Sequence, residues 1–87
     1  MHAVVVTVNV SDPEAGESGL RERVVPAVSQ APGFVAGYWT REGNSGLSMV
    51  VFESEDAANG AAERVREMAL EGVTVENVEV REVVAHA

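Results

Sequence analysis

The sequence has 87 residues, no cysteine, and 14 acidic against 6 basic side chains, every basic one an arginine, for a formal net charge of −8. Without cysteine there are no disulfides or thiolate metal sites. Without a basic stripe there is nothing to neutralise phosphates, so neither nucleic acid nor an anionic membrane surface is expected as a partner. Hydrophobic residues make up 46% of the chain but aromatics only 5%, so valine and alanine must fill the core of what reads as one domain, residues 1–87.

The opening MHAVVVTVNV lacks the basic start of a signal peptide and alternates like a strand. Val4, Val6, Val8 and Val10 take one face, and Val5, Thr7 and Asn9 the other. No apolar run approaches the roughly 20 residues of a membrane span, and a cytoplasmic protein is expected. The following SDPEAGESG reads as a loop or a frayed helix start, because Gly16 and Gly19 weaken a helix. A helix is predicted from about Ser18 to Gln30, with Leu20, Val24 and Val28 as its apolar stripe and Arg21, Glu22 and Arg23 elsewhere on its surface. Pro26 should bend or loosen it.

PGFVAGYWTRE reads as the second strand, with Phe34, Ala36, Tyr38 and Thr40 on one face and Val35, Trp39 and Arg41 on the other. The turn signal Gly43–Gly46 predicts a hairpin to a third strand, LSMVVFE. There Leu47, Met49 and Val51 oppose Ser48, Val50 and Phe52, so both faces are largely apolar. Ser54 is a good N-cap, followed by Glu55 and Asp56, for a helix with the stripe Ala58, Ala61, Ala62, Val65, Met68 and Ala69. Gly60 suggests close approach to the sheet, and Gly72 is expected to end the helix. In the last strand Val73 and Val75 share one phase, and Val78, Val80 and Val84 the other, which predicts a bulge or short kink between Val75 and Val78.

This order predicts an α+β, ferredoxin-like βαββαβ fold: a four-stranded antiparallel sheet with two helices on one face. The opposite face would expose apolar residues of the third strand whichever way that strand is turned, a patch larger than monomers tolerate. Pairing two sheets face to face across a two-fold axis removes it, so a homodimer is expected.

The stretch PGFVAGYWTREGNSGLSMVVFESEDAANGAAE resembles the centre of the dimeric α/β-barrel superfamily, in particular its antibiotic-biosynthesis-monooxygenase-like group. The shared features are Pro-Gly-Phe opening the second strand, an aromatic further along it, and Phe-Glu-Ser before an acidic helix start. Members of the superfamily include cofactor-independent monooxygenases acting on quinols and related aromatics, haem-degrading enzymes, and proteins without an assigned role. The haem-degrading branch is similar in fold but uses a histidine on or near its second helix as iron ligand. This sequence has neither histidine nor tryptophan between Ser54 and Gly72. The resemblance therefore implies no cofactor: the substrate carbanion reduces dioxygen, and the protein supplies a dry pocket, orientation and sometimes a proton acceptor.

Candidate ligand-binding residues are Asn9, Tyr38, Trp39 and Arg41. Tyr38 and Trp39 cannot share a face of a straight strand, so at most one lines a cavity under the helices. Both can equally serve as packing residues. Asn9 can bind a ligand or serve the strand end and its turn, and the turn is favoured. Arg41 can clamp an anion or pair with a carboxylate across the sheet, and pairing is favoured in so acidic a chain. His2 and His86 come near each other if the first and last strands are neighbours, but two terminal ligands make a poor metal site, and none is expected. No nucleophile–histidine or phosphate-loop pattern is present, and Glu53, Glu55 and Asp56 are read as helix capping. The sequence thus supports two functions: a monooxygenase-like protein acting on or binding a small aromatic molecule, or a non-catalytic dimeric module for a metabolite or protein.

Overall fold

A computed structural model describes residues 1–87. Its elements are β1 (His2–Val10), a helical segment in three parts, β2 (Phe34–Glu42), β3 (Ser45–Phe52), helix α3 (Glu55–Glu67) and β4 (Val73–Glu82). The helical segment consists of α1 (Pro13–Gly19), a π-helical stretch Leu20–Val24, and α2 (Val25–Ser29). The strands form one antiparallel sheet in the order β2-β3-β1-β4, so the fold is the ferredoxin-like βαββαβ arrangement.

The two faces of the sheet follow from the registers. Val4 lies between Val50 and Val80, and Val6 between Ser48 and Val78, so these residues share the face under the helices. Val4, Val6, Val50 and Phe52 are buried there against Ala58 and Ala62 of α3, both fully buried. Alanine at these positions lets α3 lie close to the sheet. Ser54 caps that helix as its sequence suggests, accepting from the Ala57 N–H at 3.1 Å. The β4 bulge is also where the valine phases place it: Val8 pairs with Val75 and Thr7 with Asn77, leaving Glu76 over. Val73, Val75, Val78 and Val80 are thereby all turned to the helix side.

Of the two readings of SDPEAGESG the helix start holds and the loop does not, and the helix begins earlier than Ser18: it is begun by Asp12, whose side chain accepts from the Ala15 N–H at 3.2 Å, and by Pro13 in the first turn. Gly16 and Gly19 serve packing there: an added Cβ would lie 3.0 Å from Val73 Cγ2 and 2.6 Å from Leu70 Cδ1, respectively. Pro26 loosens the helix as expected, through a π turn in which the Val25 N–H reaches back five residues to the Leu20 carbonyl. That wider turn accommodates a ring that has no N–H for the usual bond.

On β2, a register shift between Phe34 and Ala36 puts Phe34 opposite Phe52, their rings edge to face at 6.3 Å, and off the Ala36–Tyr38–Thr40 face. The hairpin is tighter than a four-residue turn. Glu42 pairs with Ser45, and Gly43 has φ 60°, the left-handed first position of a type II′ loop. Helix α3 stops at Glu67, before Gly72, which instead takes φ 77° in the turn into β4. Met68 and Ala69 lie beyond its end and are exposed. Gly60 does not mark a close approach, since a Cβ there would meet nothing within 4 Å. Val84 lies past β4 and is 87% exposed, so it does not continue the Val78–Val80 face.

Candidate functional site

The core residues Val4, Val6, Val50 and Phe52, packed under α3 towards the end of the sheet where β1 begins, also form part of the wall of a space that opens towards the hairpin. At the other end, the β2–β3 hairpin, the start of the first helical segment and the last turn of α3 surround a cavity of about 530 Å³. That volume lies within the range of small-molecule sites and suits an aromatic ring system. Its floor is the helix side of β1, Val4 through Val10, and its walls include Leu20, Val24 and Val28 from one side and Ala61 and Val65 from the other. The apolar stripes of both helical segments thus line the same space.

Trp39 lines this cavity and Tyr38 does not. Trp39 pairs with Ser48, which pairs with Val6, so the indole is on the helix side. Gly37 makes room for it: a Cβ at that position would fall 2.8 Å from Trp39 Cη2, so the ring lies back over the glycine. Tyr38 stands on the opposite face, 68% exposed, beside Met49.

Arg41 also lines the cavity, at the hairpin end of β2, and donates to the Gly43 carbonyl at 3.4 Å. It belongs to none of the three ion pairs, which corrects the expected pairing across the sheet. Its cross-strand partner is Gly46, which offers no carboxylate. Asn9 is exposed on the open face, between Ser45 and Thr74, and lies outside the cavity. The strand end that it was expected to serve is held by backbone bonds instead, Val10 N–H to Asn44 O at 2.7 Å and Ser11 N–H to Gly72 O at 2.8 Å.

The structure adds polar residues that the pattern of the sequence did not single out. Ser48 is the hydroxyl on the helix side of β3 between Trp39 and Val6. Its position in an otherwise apolar alternation was a signal available in the sequence. Arg21 lines the wall between Glu17 and Val24, one turn from each, and holds Glu17 at 2.6 Å. Arg64 comes from the last turn of α3, where a cation also suits the helix dipole. Glu17 is the only carboxylate residue on the wall.

The histidines do not converge on a metal. His2 turns to the helix side, with Nε2 3.5 Å from Glu55 Oε2, and His86 lies exposed in the tail beyond β4. The chain ends do meet, through the Val83 N–H and the Met1 carbonyl at 3.0 Å. No three His, Asp or Glu side chains gather at any metal-like site. No helix is long and apolar enough to cross a membrane.

The open face of the sheet is uneven. Across its middle row Tyr38, Met49, Val5 and Glu79 stand side by side. The neighbouring rows likewise set Leu47 and Val51 of β3 towards the middle and the polar Asn77 and Arg81 of β4 at the edge. On β4 the Arg81 guanidinium and the Asn77 amide bond the Glu79 carboxylate and hold its pKa below the ordinary value. The apolar part, including Leu47 at 44% and Met49 at 42% exposure, is therefore bordered by a charged edge. No protein-family model matches the sequence, and no curated protein matches it.

Proposed function

We propose that this protein binds a small aromatic molecule of the quinol type in the cavity beneath its helices, as a cofactor-independent, monooxygenase-like homodimer of the dimeric α/β-barrel kind, working in the cytoplasm. The observation that carries this reading is the 530 Å³ apolar cavity with the sole tryptophan, Trp39, on its wall. A planar ring entering it can stack on the indole, and the valine floor excludes water from the reacting carbon. Ser48 offers a hydroxyl to an oxygen substituent, and Glu17, which is paired with Arg21, is the one carboxylate on the wall that could take a proton. The dimer rests on the apolar rows of the open face, which a second copy would cover.

A non-catalytic, ligand-binding dimer is the second reading. It is favoured by one feature: the cavity wall has no histidine, tyrosine or aspartate, and its single carboxylate is engaged with Arg21. Dioxygen uptake with a panel of quinols and anthrones separates the two. The enzymatic reading predicts uptake that Trp39→Ala abolishes and Tyr38→Phe leaves intact, because Tyr38 is on the far side of the sheet. No uptake with any compound, in protein that binds them, would establish the non-catalytic reading.

A further inference from the structure

The chain is strongly acidic, yet its cations are not spread evenly. Three of its six arginines, Arg21, Arg41 and Arg64, line the cavity, accompanied by a single carboxylate, Glu17. They come from three different elements: the π turn, the hairpin end of β2 and the last turn of α3. Arg21 is engaged with Glu17, but Arg41 and Arg64 belong to no ion pair. Helix-dipole complementarity suits both Arg64 and Arg66, but only Arg64 turns to the cavity. Arg66 donates to the Val78 carbonyl at 3.3 Å. In a protein whose overall field repels anions, the cavity wall is thus cationic, and below it lies an apolar floor.

From this charge pattern we infer that the ligand is an amphiphilic anion: an aromatic carboxylate whose ring enters the valine-lined cavity and whose carboxylate is held by Arg41 and Arg64. The inference rests on the cavity being a ligand site and narrows its ligand class. A guanidinium presents a planar fork of donors that fits a carboxylate, and Arg41 and Arg64 are both exposed and so free to take one. Ser48 and Trp39, on the sheet below, are left to contact the ring. The acidic remainder of the surface then discourages anions elsewhere and leaves the cavity as the favourable place for one.

The test is calorimetric titration of the intact protein with 2-naphthoate and with 2-naphthalenemethanol, which share a ring body and differ in charge. The anion is expected to bind about tenfold more tightly or better, as charge-assisted hydrogen bonds warrant. Raising the salt concentration should weaken the anion and leave the alcohol unchanged. Arg41→Gln and Arg64→Gln together should bring the two affinities close to each other, with the far-ultraviolet circular dichroism unaltered. Equal affinities in the unaltered protein, or tighter binding of the alcohol, would overturn the anion inference and leave the cavity as an aromatic site. If neither compound binds, both readings fall.

Discussion

Replacing Met49 by aspartate tests whether the open face is a dimer interface. Met49 is on β3, flanked by Tyr38 and Val5, and 42% of it remains exposed in the single chain. Burying a whole methionine is worth ~1.5–3 kcal/mol, so covering the exposed part contributes about 1 kcal/mol per protomer and ~2 kcal/mol per dimer. In a two-fold dimer every change occurs twice, so Met49→Asp would lose both contributions and also place two carboxylates in the face that such a dimer covers. Their desolvation costs several kcal/mol per ion, and they repel each other. A total of at least ~4 kcal/mol raises the dimer dissociation constant by roughly a thousandfold. The isolated fold should tolerate the change, since an exposed strand position spans only ~1 kcal/mol of propensity. Sedimentation equilibrium at micromolar concentration should find the unaltered protein dimeric and the variant monomeric, with folded circular dichroism for both. An unaltered protein that sediments as a monomer, or a variant that dimerises as tightly, would refute the reasoning.

Further outcomes follow from single positions. Gly60→Ala should stabilise the protein by about 1 kcal/mol, because the helix gains propensity and the new Cβ meets nothing within 4 Å, and thermal unfolding should register the gain. Gly72→Ala should destabilise it by more than ~1 kcal/mol, since φ is 77° and the Cβ would fall 2.8 Å from the Asp12 carbonyl oxygen; a lowered denaturant midpoint would show this. The depressed Glu79 pKa means that its bond to Arg81 is present above the ordinary carboxylate range and lost as pH falls through the folded value. In Arg81→Ala, carboxyl NMR should show the Glu79 titration moving upward towards the ordinary value.

The strands were legible because valine alternates along them. The β4 bulge was legible because valines on both sides of it can face the helices only if one extra residue is inserted between Val75 and Val78. The first helix was harder. Gly16 and Gly19 read as breakers by propensity, yet they sit where the helix touches Val73 and Leu70, and tertiary contact decides. Asp12, Pro13 and Glu14 are a start signal that outweighs them. The face of Phe34 was obscured because apolar residues occur on both faces of β2, so alternation alone could not reveal a bulge there. The site was partly readable. The opposition of Tyr38 and Trp39 follows from strand geometry, but which of them lies under the helices depends on pairing with Ser48 and Met49. Arg21 and Arg64 were hidden among surface arginines, one beside the apolar stripe of its helix and the other indistinguishable by pattern from Arg66.

In the proposed function, aromatic ligands enter beneath the helices. Methyl NMR during titration with 2-naphthoate tests it directly, because valines and methionines mark both faces of the sheet. Ring-current shifts at Val6, Val8, Val10 and Val24, with Met49 and Val51 unmoved, are the predicted result. Shifts at Met49 and Val51 with the cavity valines silent would place the ligand on the open face and contradict it.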